Sequence, residues 1–370
     1  MKNILSKIKH FKRGFLLQIF RIYGNLKSYQ IKLEGRVGTV KRFRVLSGMR
    51  PTGPLHLGHL HGVLKNWLSF QESHECFYFV ADWHALTTEY DSPRKLRDFV
   101  KELFLEWLSV GLSPEKSVIF LQSAVKEHAE LSLIFSMITP VAWLERNPTY
   151  KDMVQNLQNK DLTTYGFLGY PVLQAADILI YKAEKVPVGL DQVPHLELTR
   201  EIARRFNYLY GIEFFPEPEA LLSEVPKIPG TDGRKMSKSY GNAIFLNDPP
   251  EVVKKKVLSY VTDIQRPRKS DPGDPENRCV AYNLIKIYFS EEERQGVVED
   301  CKKAKLGCVE CKQRLASKVI EGLTEIWERR LEIEKANWEE LLQAGIEKAR
   351  SIAKKTMEEV NELLGFSYKF

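Results

Sequence analysis

The sequence predicts an α/β fold: a doubly wound parallel sheet over residues 43–245, followed by an α-helical domain over residues 246–370. Three observations carry that expectation. Short apolar runs at 43–49, 76–85 and 118–121 alternate with helical patterns, the βαβ order of a parallel sheet. The first run enters a Pro/Gly-rich turn, Pro51-Thr52-Gly53-Pro54-Leu55-His56-Leu57-Gly58-His59. From residue 249 onward only helical patterns remain.

The first run, FRVLSGM, suits a buried strand. After the turn, Leu60, Val63, Leu64, Trp67 and Leu68 recur at helical spacing. A strand–turn–helix of this kind directs backbone N–H groups and the positive end of a helix dipole at one point, where an anion can sit. His56 and His59 add donors on the same side, and Gly58 lets a flat ligand approach the backbone. The spacing is neither that of a P-loop nor that of the dinucleotide fingerprint. A surface turn or a metal site would also use a His-x-x-His pair.

The second run, CFYFVADWHA, is expected to be a strand with Asp82 and His84 at its C-terminal end, where open α/β sheets gather ligands. Ser92 is expected to cap a helix running through Trp107, with Pro93 at its first position. Residues 118–121 form the third strand, and the helical region after it breaks at Pro140 and Pro148. Residues 170–181 read as a helix carrying Asp177 among Leu173, Ile178, Leu179 and Ile180. Residues 186–192 read as a strand ending in a turn, and 195–206 as an amphipathic helix. Helices are expected at 249–261, 283–289, 291–305 and 314–364, the last broken at Gly345.

The chain has 370 residues, 43% hydrophobic and 28% charged, an ordinary balance for a soluble globular protein. No apolar run approaches the ~20 residues of a membrane helix. Five cysteines in so long a chain do not make a disulfide framework, which points to a reducing, cytoplasmic setting. The net charge of +7 is uneven: residues 1–44 hold twelve Lys/Arg against Glu34 alone, leaving the remainder at −4. Any polyanion must therefore be met by local patches. Residues 1–42 read as a basic amphipathic arm, a transit peptide, or a stretch upstream of a true start near Val37 or Val40.

Far downstream, Lys235-Met236-Ser237-Lys238-Ser239 places two ammonium groups on a loop flanked by Pro229-Gly230 and Asp232-Gly233. With His56-Leu57-Gly58-His59, it resembles the paired HIGH and KMSKS signatures of class I aminoacyl-tRNA synthetases. That resemblance implies a Rossmann-like catalytic domain with a helical insertion, and a tRNA anticodon-binding helical domain. Asp177 on its apolar helix needs a partner, and a carboxylate is the natural receptor for the donor-only indole N–H. The words YPVLQAADIL (170–179), 186–192 followed by HLELTR, and Asp82-Trp83-His84-Ala85 resemble the tryptophanyl-tRNA synthetase family over roughly residues 43–365.

The resemblance implies activation of L-tryptophan with ATP and Mg²⁺, then transfer to the 3′ end of tRNA(Trp). It implies catalytic roles for His56, His59, Lys235 and Lys238. ATP would be met by Arg50, Pro51, Thr52, Gly58, Gly189, Leu190, Asp191 and Ile228, and by Met236, Ser237 and Ser239 of the lysine loop. Tryptophan would be met by His84, Tyr170, Gln174, Asp177 and Gln192. A homodimer without membrane contact is expected. The Tyr170, Gln174, Asp177 spacing also occurs in tyrosyl-tRNA synthetases, and Gln174 stands where many tryptophan enzymes carry methionine. Leu190 stands where the tyrosine enzymes usually show a second glycine. A catalytically silent, synthetase-like RNA-binding protein is the rival from another class, although both signatures are complete.

Cys279, Cys301, Cys308 and Cys311 leave gaps of 21, six and two residues. Cys308-x2-Cys311, with Gly307 for the tight turn, has metal-site spacing, and four thiolates suit zinc or a [4Fe–4S] cluster. Some bacterial tryptophanyl enzymes look similar here and carry an iron–sulfur cluster near the anticodon-binding surface, with a first gap one residue longer. Lys302, Lys303, Lys305, Lys312 and Arg314 around the cysteines are expected to suit a phosphate backbone.

Overall fold

The structure is a computed structural model and describes residues 42–147, 164–189, 192–222 and 228–366. Apart from Arg42, the basic extension lies outside the described residues, as do Leu190, Asp191 and the break expected at Pro148. Five parallel strands form the sheet in the order β3-β2-β1-β4-β5. They are β1 (Arg44–Met49), β2 (Glu75–Val80), β3 (Ser117–Leu121), β4 (Lys185–Val188) and β5 (Glu219–Leu222). The order reverses between β1 and β4, so the crevice beyond their C-terminal ends is where a ligand belongs.

Both faces of the sheet are covered, which explains its unbroken apolar runs. Val45, Tyr78 and Val80 face one core, with Trp67, Phe104 and Trp107. Their neighbours Leu46, Phe77 and Phe79 face the other, with Phe120, Ile178 and Phe206. Helices Arg94–Val110 and Cys308–Lys335 serve the first core, and helices Tyr165–Leu179, Val193–Tyr210 and Trp338–Leu363 the second. Phe43–Phe370 thus make one compact unit, and among the described residues the helices from Pro250 onward share a core with the sheet.

Four details differ from the sequence reading. β2 stops at Val80, and Asp82 and His84 lie on the helix Asp82–Glu89 that follows. Pro93, not Ser92, takes the N-cap of Arg94–Val110, without a side-chain cap. β5 is short and half-exposed, and its sequence EALL carries no alternation to reveal it. The last helical stretch breaks at Ala336 and Asn337, where Asn337 caps the next helix by accepting from the Glu340 N–H. Gly345 lies inside that helix, pressed on the backbone of β3: a Cβ there would stand 1.8 Å from the Ile119 carbonyl oxygen.

Candidate active site

At the C-terminal end of β1 the chain turns through Arg50, buried Pro51 and half-buried Thr52, whose N–H donates to the Arg50 carbonyl at 2.9 Å. Gly53 holds a φ of 110°, the left-handed region that favours glycine. The Leu55 N–H is gripped by both oxygens of Glu106, at 3.1 and 3.0 Å. Glu106 is buried on helix Arg94–Val110, and burial pushes its carboxyl up to about 7 against the opposing Leu55 bond and the charges of Arg330 and Lys238.

His56 caps the helix that begins at Leu57. Its Nδ1 accepts the Gly58 N–H at 3.1 Å, and His59 Nδ1 accepts the His56 N–H at 3.2 Å. A Cβ on residue 58 would lie 2.8 Å from the His56 ring, so only glycine lets that ring fold onto the backbone. Burial, with Lys238 and Lys235 nearby, lowers His56 to about 4; burial, then His56 and the same lysines, lowers His59 to about 3. Both rings are therefore neutral at pH 7. With Nδ1 accepting in each, the proton sits on Nε2, and two neutral N–H donors result.

The lysine loop docks against this turn although it lies far away in sequence. Leu57 donates to the Ile244 carbonyl at 3.0 Å, Leu246 to the Leu55 carbonyl at 2.8 Å, and His56 bridges Phe245. Lys238 Nζ donates to the Gly53 carbonyl at 2.7 Å. Burial and the charge of Arg50 lower Lys238 to about 8, with Glu106 opposing. Lys235 and Ser239 are exposed, Met236 is buried, and Ser237 Oγ lies 2.9 Å from Ser239 Oγ. Buried Ile228 accepts the Met236 N–H at 3.4 Å. Asn242 pins the loop: its Oδ1 accepts the Ser237 N–H at 2.9 Å, and its Nδ2 reaches Asp232 Oδ1 at 2.7 Å and the Lys235 carbonyl at 3.2 Å. Neither Glu106 nor Asn242 stands inside a signature word, so sequence reasoning passed over both.

Gly189 and Gln192 lie just past β4, with the Gln192 N–H donating to the Gly189 carbonyl at 3.0 Å. On helix Tyr165–Leu179, capped by Thr164, the Tyr170 hydroxyl lies 2.8 Å from His195 Nε2, and burial pushes the phenol up to about 12. Gln174 is half-buried one turn before Asp177. Asp177 is fully buried and fully partnered: His84 Nε2 at 2.7 Å, Gln122 Nε2 at 2.8 and 2.9 Å, and His128 Nδ1 at 2.5 Å. Burial alone would raise this carboxyl, but the donors, His128 foremost, hold it below the ordinary carboxylate range. Gln122 and His128 were missed because nothing in their local sequence differs from loop and helix filler.

The four cysteines line one cavity of about 30 Å³, although among the described residues no group of three or more His, Cys, Asp or Glu is arranged to hold a metal ion. Arg266 Nη1 lies 3.1 Å from Cys301 Sγ, and its other nitrogens donate to the carbonyls of Asp271, Lys269 and Leu306. Lys312 corrects the sequence reading: it points inward, donating to the Tyr260 carbonyl and to Thr262 Oγ1, away from any phosphate backbone. Lys302, Lys303 and Arg314 pair with Glu276, Glu299 and Glu310.

A doubly wound parallel sheet, with an imidazole turn and a KMSKS loop docked together beyond its switch point, defines a class I aminoacyl-tRNA synthetase. Residues 39–324 match the model of the tRNA synthetases class I (W and Y), and the chain belongs to that family. It is therefore an enzyme, a ligase. The tryptophan–tRNA ligase of Thermotoga maritima is 56% identical over 88% of this chain and 100% of its own length. That of Aquifex aeolicus is 49% identical over 87% and 99%. The solved tryptophanyl-tRNA synthetase of Campylobacter jejuni, complexed with ADP and tryptophan, superposes with a TM-score of 0.80 at 38% identity, covering 87% of this chain and 99% of that one.

Proposed function

We infer that the chain is a tryptophan–tRNA ligase that charges tRNA(Trp) with L-tryptophan in the cytoplasm. The observation that carries the reading is the docking of Lys238 and the neutral His56–His59 pair around one crevice. The tryptophan carboxylate is ionised near neutral pH and needs no general base. Its oxygen bonds to the α-phosphorus of ATP while the bond from phosphorus to the pyrophosphate oxygen breaks. The Nε2–H groups of His56 and His59 meet phosphate oxygens as donors, and Lys235 and Lys238 meet the charge that develops on pyrophosphate. Mg²⁺ arriving with ATP would supply further positive charge against the phosphates. Arg50, Pro51 and Thr52 line the nucleotide entry, Gly58 lets the nucleotide approach, and Met236, Ser237 and Ser239 carry the lysines. Gly189, Leu190 and Asp191 meet the ribose, and Ile228 meets adenine. Tyr170 and Gln192 hold the amino group, while Gln174 and His84 flank the ring.

ATP–pyrophosphate exchange is expected with tryptophan. Exchange with tyrosine instead would identify a tyrosine enzyme, and exchange with neither a silent RNA-binding relative. Asp177→Asn replaces a four-site acceptor by a group with one acceptor oxygen, and is expected to raise the tryptophan KM by about 10–100-fold. An unchanged KM in steady-state exchange assays would move the ring N–H elsewhere.

The exposed Leu133, Met137, Val141 and Tyr165, on three neighbouring helices, supply an apolar surface suited to a homodimer. Among the described residues no helix is long and apolar enough to cross a membrane.

Cys279, Cys301, Cys308 and Cys311 would hold a [4Fe–4S] cluster, with Zn²⁺ as the alternative. Arg266 and Lys312 are buried at 5% and 8% exposure, and among the described residues neither pairs with a carboxylate. Two such cations are costly beside neutral thiols. Four thiolates around a divalent ion, or around a cluster of the same charge, leave two negative charges to match them. In charge the donor set would therefore match such a group, which would brace the helical region. Anaerobically purified protein is expected to be brown, with iron and sulfide in near-equal amounts, and Cys308→Ser or Cys311→Ser to be colourless yet active in pyrophosphate exchange. Colourless wild-type protein holding one zinc would decide for the alternative.

A further inference from the structure

Behind Asp177 stands a chain of hydrogen bonds outside every signature word. His128 Nδ1 lies 2.5 Å from Asp177 Oδ1, and His128 Nε2 lies 2.7 Å from the Tyr181 hydroxyl. Asp177, His128 and Tyr181 are completely buried. Burial, then the charges of Asp177 and Glu127, push the Tyr181 phenol well above its ordinary value, so it remains an O–H donor. His128 accepts that proton at Nε2 and must carry its own on Nδ1, aimed at the carboxylate. Gln122 is fixed in the same way. Its Oε1 accepts the backbone N–H of Trp83 at 3.2 Å and of His84 at 3.4 Å, which leaves Nε2 for Asp177. Among the described partners of Asp177, His84 has a side chain 11% exposed, whereas Gln122 and His128 are completely buried. An incoming ring N–H can replace the His84 donor, whereas His128 stays.

We propose that His128, its tautomer locked by Tyr181, is a positioning residue that keeps Asp177 an anionic acceptor, and thereby sets discrimination against ring systems that lack an N–H. The proposal rests on the reading of Asp177 as the ring N–H acceptor. Without His128, a fully buried carboxyl with one donor fewer takes up a proton more readily. One of its oxygens then becomes a donor, and an analogue without N–H is no longer penalised.

The test compares kcat/KM in pyrophosphate exchange for L-tryptophan and for 3-benzothienylalanine, in which sulfur replaces the ring N–H. Wild-type enzyme is expected to prefer tryptophan by about 10³-fold or more. His128→Leu is expected to narrow that preference by about 10–100-fold, through loss on tryptophan and relief of the penalty on the analogue. His128→Asn, which returns an N–H near the Nδ1 position, is expected to restore most of it. Tyr181→Phe removes one hydroxyl without a cavity, and is expected to narrow the preference even if His128→Leu fails to fold. Equal losses on both substrates, or an unchanged ratio in Tyr181→Phe and a folded His128→Leu, would reduce His128 to a packing residue. A wild-type enzyme indifferent to the two substrates would instead overturn the Asp177 reading, and this proposal with it.

Discussion

Lys238→Ala is expected to slow tryptophanyl-adenylate formation by about 10²–10³-fold while changing tryptophan affinity by no more than about twofold. The ammonium rests on the Gly53 carbonyl at 2.7 Å, beside the imidazole turn and far from Asp177 in sequence. Its charge matters most when pyrophosphate charge develops, so the loss belongs to kcat. Lys235→Ala should act in the same direction. With the Lys238 pKa lowered to about 8, its charge is lost as pH rises through that value, so the wild-type rate should fall on the alkaline side. Lys238→Arg should extend the plateau upward, since a guanidinium keeps its proton. Single-turnover adenylate formation and tryptophan titration, each across pH 6–10, separate the two effects; parallel losses in rate and affinity would return Lys238 to the amino-acid site.

Gly345→Ala is expected to destabilise the fold by about 3 kcal/mol, at the upper end for overpacking. Its Cβ would meet the Ile119 carbonyl oxygen at 1.8 Å and the carbonyl carbon at 2.9 Å, both backbone atoms that no rotamer change can move. The alanine gains up to about 1 kcal/mol in helix propensity, which only partly offsets the clash. Gly296→Ala on helix Glu291–Lys302 is the control, because a Cβ there meets nothing within 4 Å. That variant should gain stability where Gly345→Ala lowers the melting midpoint by about 4 °C. Equal melting midpoints for the two would mean that the last helix is not seated on β3.

Much of the sheet was legible because its strands are covered on both faces, and a run such as FYFV in β2 is what that burial requires. The histidine turn and lysine loop were legible because their chemistry is packed into consecutive residues. What stayed hidden acts across long sequence distances. Glu106 grips Leu55, Asn242 pins its loop from beyond it, and His128 meets Asp177 from another helix, each as an unremarkable residue of its own segment. Gly345 was read as a helix breaker because local propensity cannot see a strand pressed on its α-carbon. Lys312 was read as a surface cation for the same reason, since nothing nearby in sequence shows the carbonyls that receive it.

The seat of the final helix on β3 also bears on how the chain is made. β3 is an outer strand of the sheet, and the helix lying on its backbone, Trp338–Leu363, is translated long after it. The nascent chain therefore carries a finished apolar strand with an open pairing edge through most of its synthesis, the state in which neighbouring chains add strands to one another. Chains stopped short of residue 338 should enter inclusion bodies even though every residue of the nucleotide crevice has been translated.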